Sequence, residues 1–94
     1  MIIEGIIWLD EIIDKLAWKH NVQQKEVIEI LENNPYFRFV ERGHRKGENV
    51  YAAMSQTNGG RYLIIFFVYK ENKNIIILSA RDMTSSERKM YDKR

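Results

Sequence analysis

The sequence predicts an α+β fold in the order β-α-α-β-β-β-β-α: a mostly antiparallel sheet, two N-terminal helices on one face, and a short C-terminal helix. Three observations carry this expectation. Apolar residues recur at helical spacing between residues 10 and 32. After Pro35 the pattern changes to short apolar runs separated by turn signals. The last run is followed by Thr84-Ser85-Ser86-Glu87, a helix-start signature.

The elements follow in chain order. Ile2 to Trp8 is apolar and β-branched, interrupted by Gly5, and reads as a first strand. Asp10 stands where a cap belongs, and Leu9, Ile12, Ile13, Leu16 and His20 make an amphipathic stripe, so a helix runs from Asp10 to about Lys19. Asn21 is a stop residue. Val27, Ile28, Ile30 and Leu31 give a second helix over 24–32 its apolar face, and Asn33-Asn34-Pro35 ends it, because proline disfavours helix at the residue before it. Residues 36–42 partly alternate apolar and charged, as a half-buried strand does. A polar loop, 43–49, leads to a strand over 50–56. Asn58-Gly59-Gly60 is a hairpin turn. The strand that follows, 61–69, has an unbroken apolar centre and should lie centrally, covered on both faces. The last strand runs from Asn74 to Ala80. With two helices on one face, the other face or its rim is left for a ligand.

Composition narrows the function classes. A chain of 94 residues, 45% hydrophobic and 30% charged, can bury a core, which excludes disorder and makes one domain over 1–94 the expectation. There is no cysteine, so disulfides and thiolate metal sites are excluded. With only two histidines a transition-metal site would need scattered carboxylates, and neither metal nor cofactor is expected. Glu4 stands where a signal peptide needs a basic start, and the longest apolar run, Tyr62 to Tyr69, is far short of the ~20 residues that span a bilayer. A cytoplasmic protein without membrane contact is expected.

Charge is unevenly divided. Residues 1–36 carry three lysines against seven acids, a net of −4, whereas residues 37–94 carry twelve basic residues against six acids, a net of +6. Seven of those twelve are arginines. This asymmetry points to an anionic partner for the second part, set against ordinary solvated charge.

Three clusters are candidates for chemistry. Lys19-His20 ends the first helix, where the negative end of the dipole favours cations; alternatively His20 only continues the apolar stripe. In Gly43-His44-Arg45-Lys46-Gly47-Glu48 two glycines flank three basic residues, so backbone can approach a phosphate closely; alternatively the loop is a flexible basic hairpin. Arg81 follows the small pair Ser79-Ala80 at a strand-to-helix corner, with Arg88 in the next helix and Tyr91 beyond it. Such a corner suits an oxyanion, unless Arg81 is spent on Asp82 or Glu87. Phe37 and Phe39 alternate with charged neighbours and are either stacking surfaces or core. No nucleophile elbow, phosphate loop or dinucleotide fingerprint is present.

Read together, Trp8 with Lys19-His20-Asn21-Val22, Gly47-Glu48, Gly60-Arg61-Tyr62-Leu63, Ser79-Ala80-Arg81-Asp82-Met83-Thr84 and Glu87-Arg88-Lys89-Met90-Tyr91 resemble the BrnT toxins of bacterial type II toxin–antitoxin systems, over about residues 6–92. The chain departs from typical members at Ile12, Leu16 and Asn21, where those carry lysine, asparagine and glycine. The resemblance implies a RelE-like fold, an endoribonuclease that arrests translation, and a cognate ribbon-helix-helix antitoxin that forms a hetero-oligomer with it. It carries over Lys19, His20, Glu48, Arg61, Arg81, Arg88 and Tyr91 as matching positions. A metal-free ribonuclease uses the substrate's own 2′-OH as nucleophile and needs a base, cations for the phosphorane and an acid. On that scheme His20 or Glu48 is the base and Arg61, Arg81 and Arg88 clamp the phosphate. Tyr91 is acid or stacking platform, and Lys19, His44, Arg45 and Lys46 hold RNA. The alternative is a non-catalytic module that binds RNA or protein.

Overall fold

A computed structural model describes residues 1–94. Its elements are β1 (Gly5–Ile7), α1 (Asp10–His20), α2 (Gln24–Glu32), β2 (Tyr36–Glu41), β3 (Asn49–Gln56), β4 (Tyr62–Tyr69), β5 (Asn74–Asp82) and α3 (Ser85–Asp92). The strands form one sheet in the order β1-β5-β4-β3-β2. Every pairing is antiparallel except β1 with β5. This is the α+β fold and element order that the sequence predicts.

The helices lie where their apolar stripes require. α1 packs on β5, and α2 on β3 and β4. Their inward residues Leu16, Val27 and Ile30 meet Leu63, Ile65 and Phe67 of β4 and Ile75 and Ile77 of β5 in the main core. The opposite face of β4 is covered by α3, where Tyr91 and Met90 pack with Met54 and Ile64. Strand β4 is thus buried from both sides, as its unbroken apolar run demands.

Chain reversals are secured locally. Asn21 takes a left-handed conformation (φ 53°, ψ 43°), and the Val22 amide returns to the Leu16 carbonyl at 3.0 Å. This is a helix stop usually made by glycine, which asparagine tolerates better than other side chains. Val22, 1% exposed, anchors it in the core. Thr84 and Glu87 form the expected capping box, each side chain receiving the other's amide at 3.2 and 2.8 Å.

The structure corrects four boundaries. The first strand is three residues long, because Gly5 pairs with Asn74, where β5 begins, and earlier residues have no strand beside them. Asp10 does not cap α1; Leu9 occupies that position without a side-chain bond, and Asp10 is an acid of the first turn. Strand β2 ends one residue early, in a bulge between Phe39 and Glu41. Strand β5 continues through Asp82, so Arg81 is a sheet residue paired with Ile64 and the corner lies beyond it.

Phe67 is fully enclosed between α2 and the sheet. Replacing it with alanine should cost about 3–5 kcal/mol of unfolding free energy, mostly as a cavity. Urea denaturation measures this; a loss below 1 kcal/mol would mean that the core lies elsewhere.

Candidate nucleic-acid interface

Residues directly opposite each other in a sheet share a face. The register therefore sets Arg38, Ala52, Phe66 and Ser79 in one row across β2-β3-β4-β5, and Tyr36, Met54, Ile64 and Arg81 in the next. Both rows face the α3 side. The second row is largely covered by α3, while the first borders an open cleft of about 280 Å³ whose lining includes Arg38, Phe66 and Glu87. Ser79 reaches this face because Leu78 is an extra residue in β5: Phe67 pairs with Ile77 but Phe66 with Ser79.

The cations on this face are held to different degrees. Arg81 donates two hydrogen bonds to Glu87, at 2.7 and 3.0 Å, and its guanidinium lies 5.4 Å from the centre of the Phe66 ring. The bonds to Glu87 hold Arg81 charged more firmly than usual, against a desolvation penalty. The bonds from Arg81 likewise hold the Glu87 carboxyl below its usual range. Arg88 lies 3.3 Å over the Tyr62 ring, with only a loose pairing to Asp92 at 3.8 Å. Arg38 is exposed and hydrogen-bonds the Met90 sulfur rather than a carboxylate. Tyr91 belongs to the packing below them: it is 7% exposed, edge-on to Tyr62, with Arg94 over its ring.

One rim is formed by α1. Lys15, Lys19 and His20 line a small cleft of about 100 Å³ with Ser79, which joins this rim to the Phe66 row. The opposite rim is the loop between β2 and β3. Arg42, His44, Arg45 and Glu48 share a cleft of about 400 Å³ with Val50 and Val68. His44, Arg45 and Lys46 are exposed and join no ion pair, whereas Glu48 faces Lys70 at 3.8 Å. A side chain at Gly43 would run into the Glu48 carbonyl, and Gly47 sits at φ +78°, so both glycines are needed for the loop's shape.

Arg61 is elsewhere and differently employed. It donates to the His20 carbonyl (2.9 Å), the Asn21 carbonyl (2.6 Å), both Asp82 oxygens (2.8 and 3.2 Å) and, more distantly, Glu26. Its donors are consumed in closing the end of α1 against α2 and β5. The Asp82 carboxyl is held below its usual range, first by Arg61 and further by the nearby His20.

Of the residues singled out from sequence, Lys19 and His20 thus meet at one rim, and Arg81 and Arg88 share the face with Tyr91 beneath. His44, Arg45, Lys46 and Glu48 stand at the far loop. Glu48 lies two pairs of residues along the strands from the Phe66 row, roughly 13 Å at 3.3 Å per residue, and does not meet His20. Arg38, Lys15, Phe66 and Ser79 were passed over. Strand alternation puts Arg38 opposite Phe37, a legible signal; the bulge that turns Ser79 has none.

A family model described as the ribonuclease toxin BrnT of type II toxin–antitoxin systems matches residues 10–87. The chain belongs to the BrnT family. A type II toxin of this family is a ribonuclease with RNA targets and an antitoxin partner. The match ends at Glu87, so it includes Lys19, His20, Glu48, Arg61 and Arg81 but not Arg88 or Tyr91. No curated protein matches the chain. No helix is long and apolar enough to cross a membrane.

Both ion pairs on β5 make stability pH-dependent. A carboxyl whose folded pKa is depressed contributes stability that is present above its unfolded value and lost as pH falls through the folded one. Unfolded values are about 3.9 for Asp and 4.3 for Glu. The double variant D82N/E87Q should therefore be less stable than the parent at pH 7, and the difference should shrink as pH is lowered from about 4.5. Urea unfolding at stepped pH reads this; a gap independent of pH would show that the pairs contribute nothing through charge.

Proposed function

We propose that this BrnT-family chain is a single RelE-like toxin domain of the bacterial cytoplasm that cuts RNA without a metal, by attack of the substrate's own 2′-OH. The observation that carries the reading is one sheet face with Arg38, Arg81, Arg88 and Phe66 upon it, bounded by His20 with Lys15 and Lys19 on one side and by a basic loop on the other. RNA needs cations for its phosphates and aromatic surface for its bases, and an imidazole at the rim adds a group that can accept a proton.

In this scheme the 2′-OH gives its proton to His20 as the 2′ oxygen attacks phosphorus. The bond from phosphorus to the 5′ oxygen breaks, and that oxygen takes a proton from Lys19 or solvent. The products are a 2′,3′-cyclic phosphate and a free 5′-OH. Arg81 retains its Nε–H and one Nη2–H beyond its bonds to Glu87 and the Asp82 carbonyl, enough to meet a phosphate oxygen. Arg88 is loosely tethered and free to swing from Tyr62 to the phosphorane. Arg61 acts as a positioning residue: it fixes the end of α1 and with it His20. Glu48 is the weaker base, being distant and paired with Lys70. Tyr91 supports Tyr62 under Arg88. His44, Arg45 and Lys46 hold flanking phosphates. The antitoxin partner is a ribbon-helix-helix protein that covers this basic face.

Pure protein incubated with end-labelled RNA tests the reading. New ends should survive EDTA, and a 2′-deoxy sugar at the scissile nucleotide should abolish the cut. H20A should lower the rate about 10²–10⁴-fold, the usual worth of a general base. Cleavage of the deoxy substrate would overturn the 2′-OH scheme, and loss with EDTA would point to a metal. Salt-sensitive binding without a cut would favour a non-catalytic module, a reading that the neutralising Arg81–Glu87 pair favours.

A further inference from the structure

On the side of the sheet where α1 and α2 pack lies a groove of about 660 Å³, more than twice the cleft beside Phe66. Ile3 and Ile6 line it from the N-terminal segment and β1, Ile28 and Leu31 from α2, and Pro35 and Phe37 from the start of β2. The groove is preformed. The Tyr69 hydroxyl donates to the Ile2 carbonyl at 2.6 Å and the Glu4 amide to the Lys73 carbonyl at 2.8 Å, which fixes the N-terminal segment. The Ser55 hydroxyl donates to the Asn33 carbonyl at 2.6 Å, and the Asn33 side chain donates to the Gln56 carbonyl at 2.8 Å, which fixes the end of α2. Ile28 is exposed although Val27 and Ile30 beside it are fully buried, so α2 is apolar on a second side that the fold leaves open.

The charge here is the reverse of that on the α3 side. Glu4 and Glu32 line the groove, and no lysine, arginine or histidine does. Neither carboxylate joins an ion pair; Lys25 on α2 and Lys73 pair with neither. A polyanion is repelled. A small-molecule site holds polar groups that converge within it. In this groove the polar side chains are Glu4, Glu32 and Asn34, all exposed. An apolar floor with charge at its edge is the anatomy of a protein interface.

The family supplies one protein partner, the antitoxin. β2 is an edge strand with the groove on one side of it and the Phe66 cleft on the other. Phe39 and Val40 on that strand are exposed, so a chain lying on the basic face can cross to the groove over apolar surface. A second copy of this chain could offer Phe39 and Val40 between Arg38 and Arg42. That contact joins unlike surfaces, which builds rings or filaments rather than a simple pair.

We propose that the groove holds a segment of the antitoxin whose apolar residues are flanked by lysine or arginine, so that the antitoxin grips the chain on both sides of β2. The proposal rests on family membership and not on the cutting scheme.

The probe is the full-length antitoxin encoded beside this chain, titrated into the intact protein by calorimetry. I28D should weaken binding about 10-fold or more, as loss of a buried apolar anchor does. Affinity should fall in the order parent, E4Q/E32Q, E4K/E32K, through slower association, and the differences should shrink as salt is raised. RNA binding and cutting by the free variants should match the parent, because these residues lie off the α3 side. Unchanged antitoxin affinity in both I28D and E4K/E32K overturns the proposal, as does tighter binding on charge reversal or no binding by the parent. So does concentration-dependent self-association of the parent that I28D abolishes, for then a second copy fills the groove. If the affinities fall as expected but no RNA is cut, the catalytic reading fails and this one stands; RNA cutting with unchanged antitoxin affinities is the reverse.

Discussion

The guanidinium of Arg61 collects two helix-end carbonyls and two carboxylates from three separate pieces of chain. A helix ends with carbonyls that have no partner within the helix, and at the end of α1 two of them point at β4. Arginine is the side chain that can satisfy carbonyls and a bidentate carboxylate together, because its five donors are fixed in one plane. The result is that α1 is held at its C-terminal end, 40 residues from Arg61 in sequence, against the strand that carries Ser79 and Asp82. The rim of the candidate site exists because that end is fixed. Losing the guanidinium would leave carbonyls and a carboxylate without partners in a half-buried corner, and the last turn of α1 would lose its position relative to the sheet.

Charge on the α3 side divides into spent and unspent cations. Arg81 is matched by Glu87, which also caps α3 through the Thr84 amide, so one carboxylate serves the helix start and the sheet together. An anion that takes Arg81 must compete with that pair. Arg38, Arg42, Arg45, Lys46, Lys15 and Lys19 are in no salt bridge and need no such exchange. Arg38 stands at one end of the open row, and the others lie around it. Long-range attraction and local chemistry are thereby assigned to different residues, and salt should weaken the first more than the second.

Much of the fold was legible because each element has a local cause. Proline and paired asparagines end α2, a glycine turn joins β3 to β4, and the capping box starts α3. What escaped were facts set by distant partners. Three residues of β1 pair because β5 begins where it does. Arg61 reads as one more basic residue beside a hairpin, and nothing within ten residues says that it belongs to a helix end. Arg81 reads as a corner because Ser79-Ala80 are small, but those residues are small to pack on neighbours within a strand that continues. The bulge at Leu78 decides which way Ser79 faces, and no residue nearby announces it. The basic residues could thus be chosen from sequence, while their grouping could not.

The three departures from typical BrnT members bear on the same end of the molecule. Leu16 is 3% exposed and Ile12 packs beside it on the core, so the apolar replacements deepen the contact of α1 with β5. Asn21 occupies the left-handed stop that suits glycine, a substitution tolerated because asparagine enters that region at lower cost than other side chains. Two polar groups that a typical α1 would offer at this cleft are therefore absent here. Its remaining polar equipment is Lys15, Lys19, His20 and Ser79. The greasier inner face therefore packs α1 against the core and leaves the cleft its polar groups only at the rim.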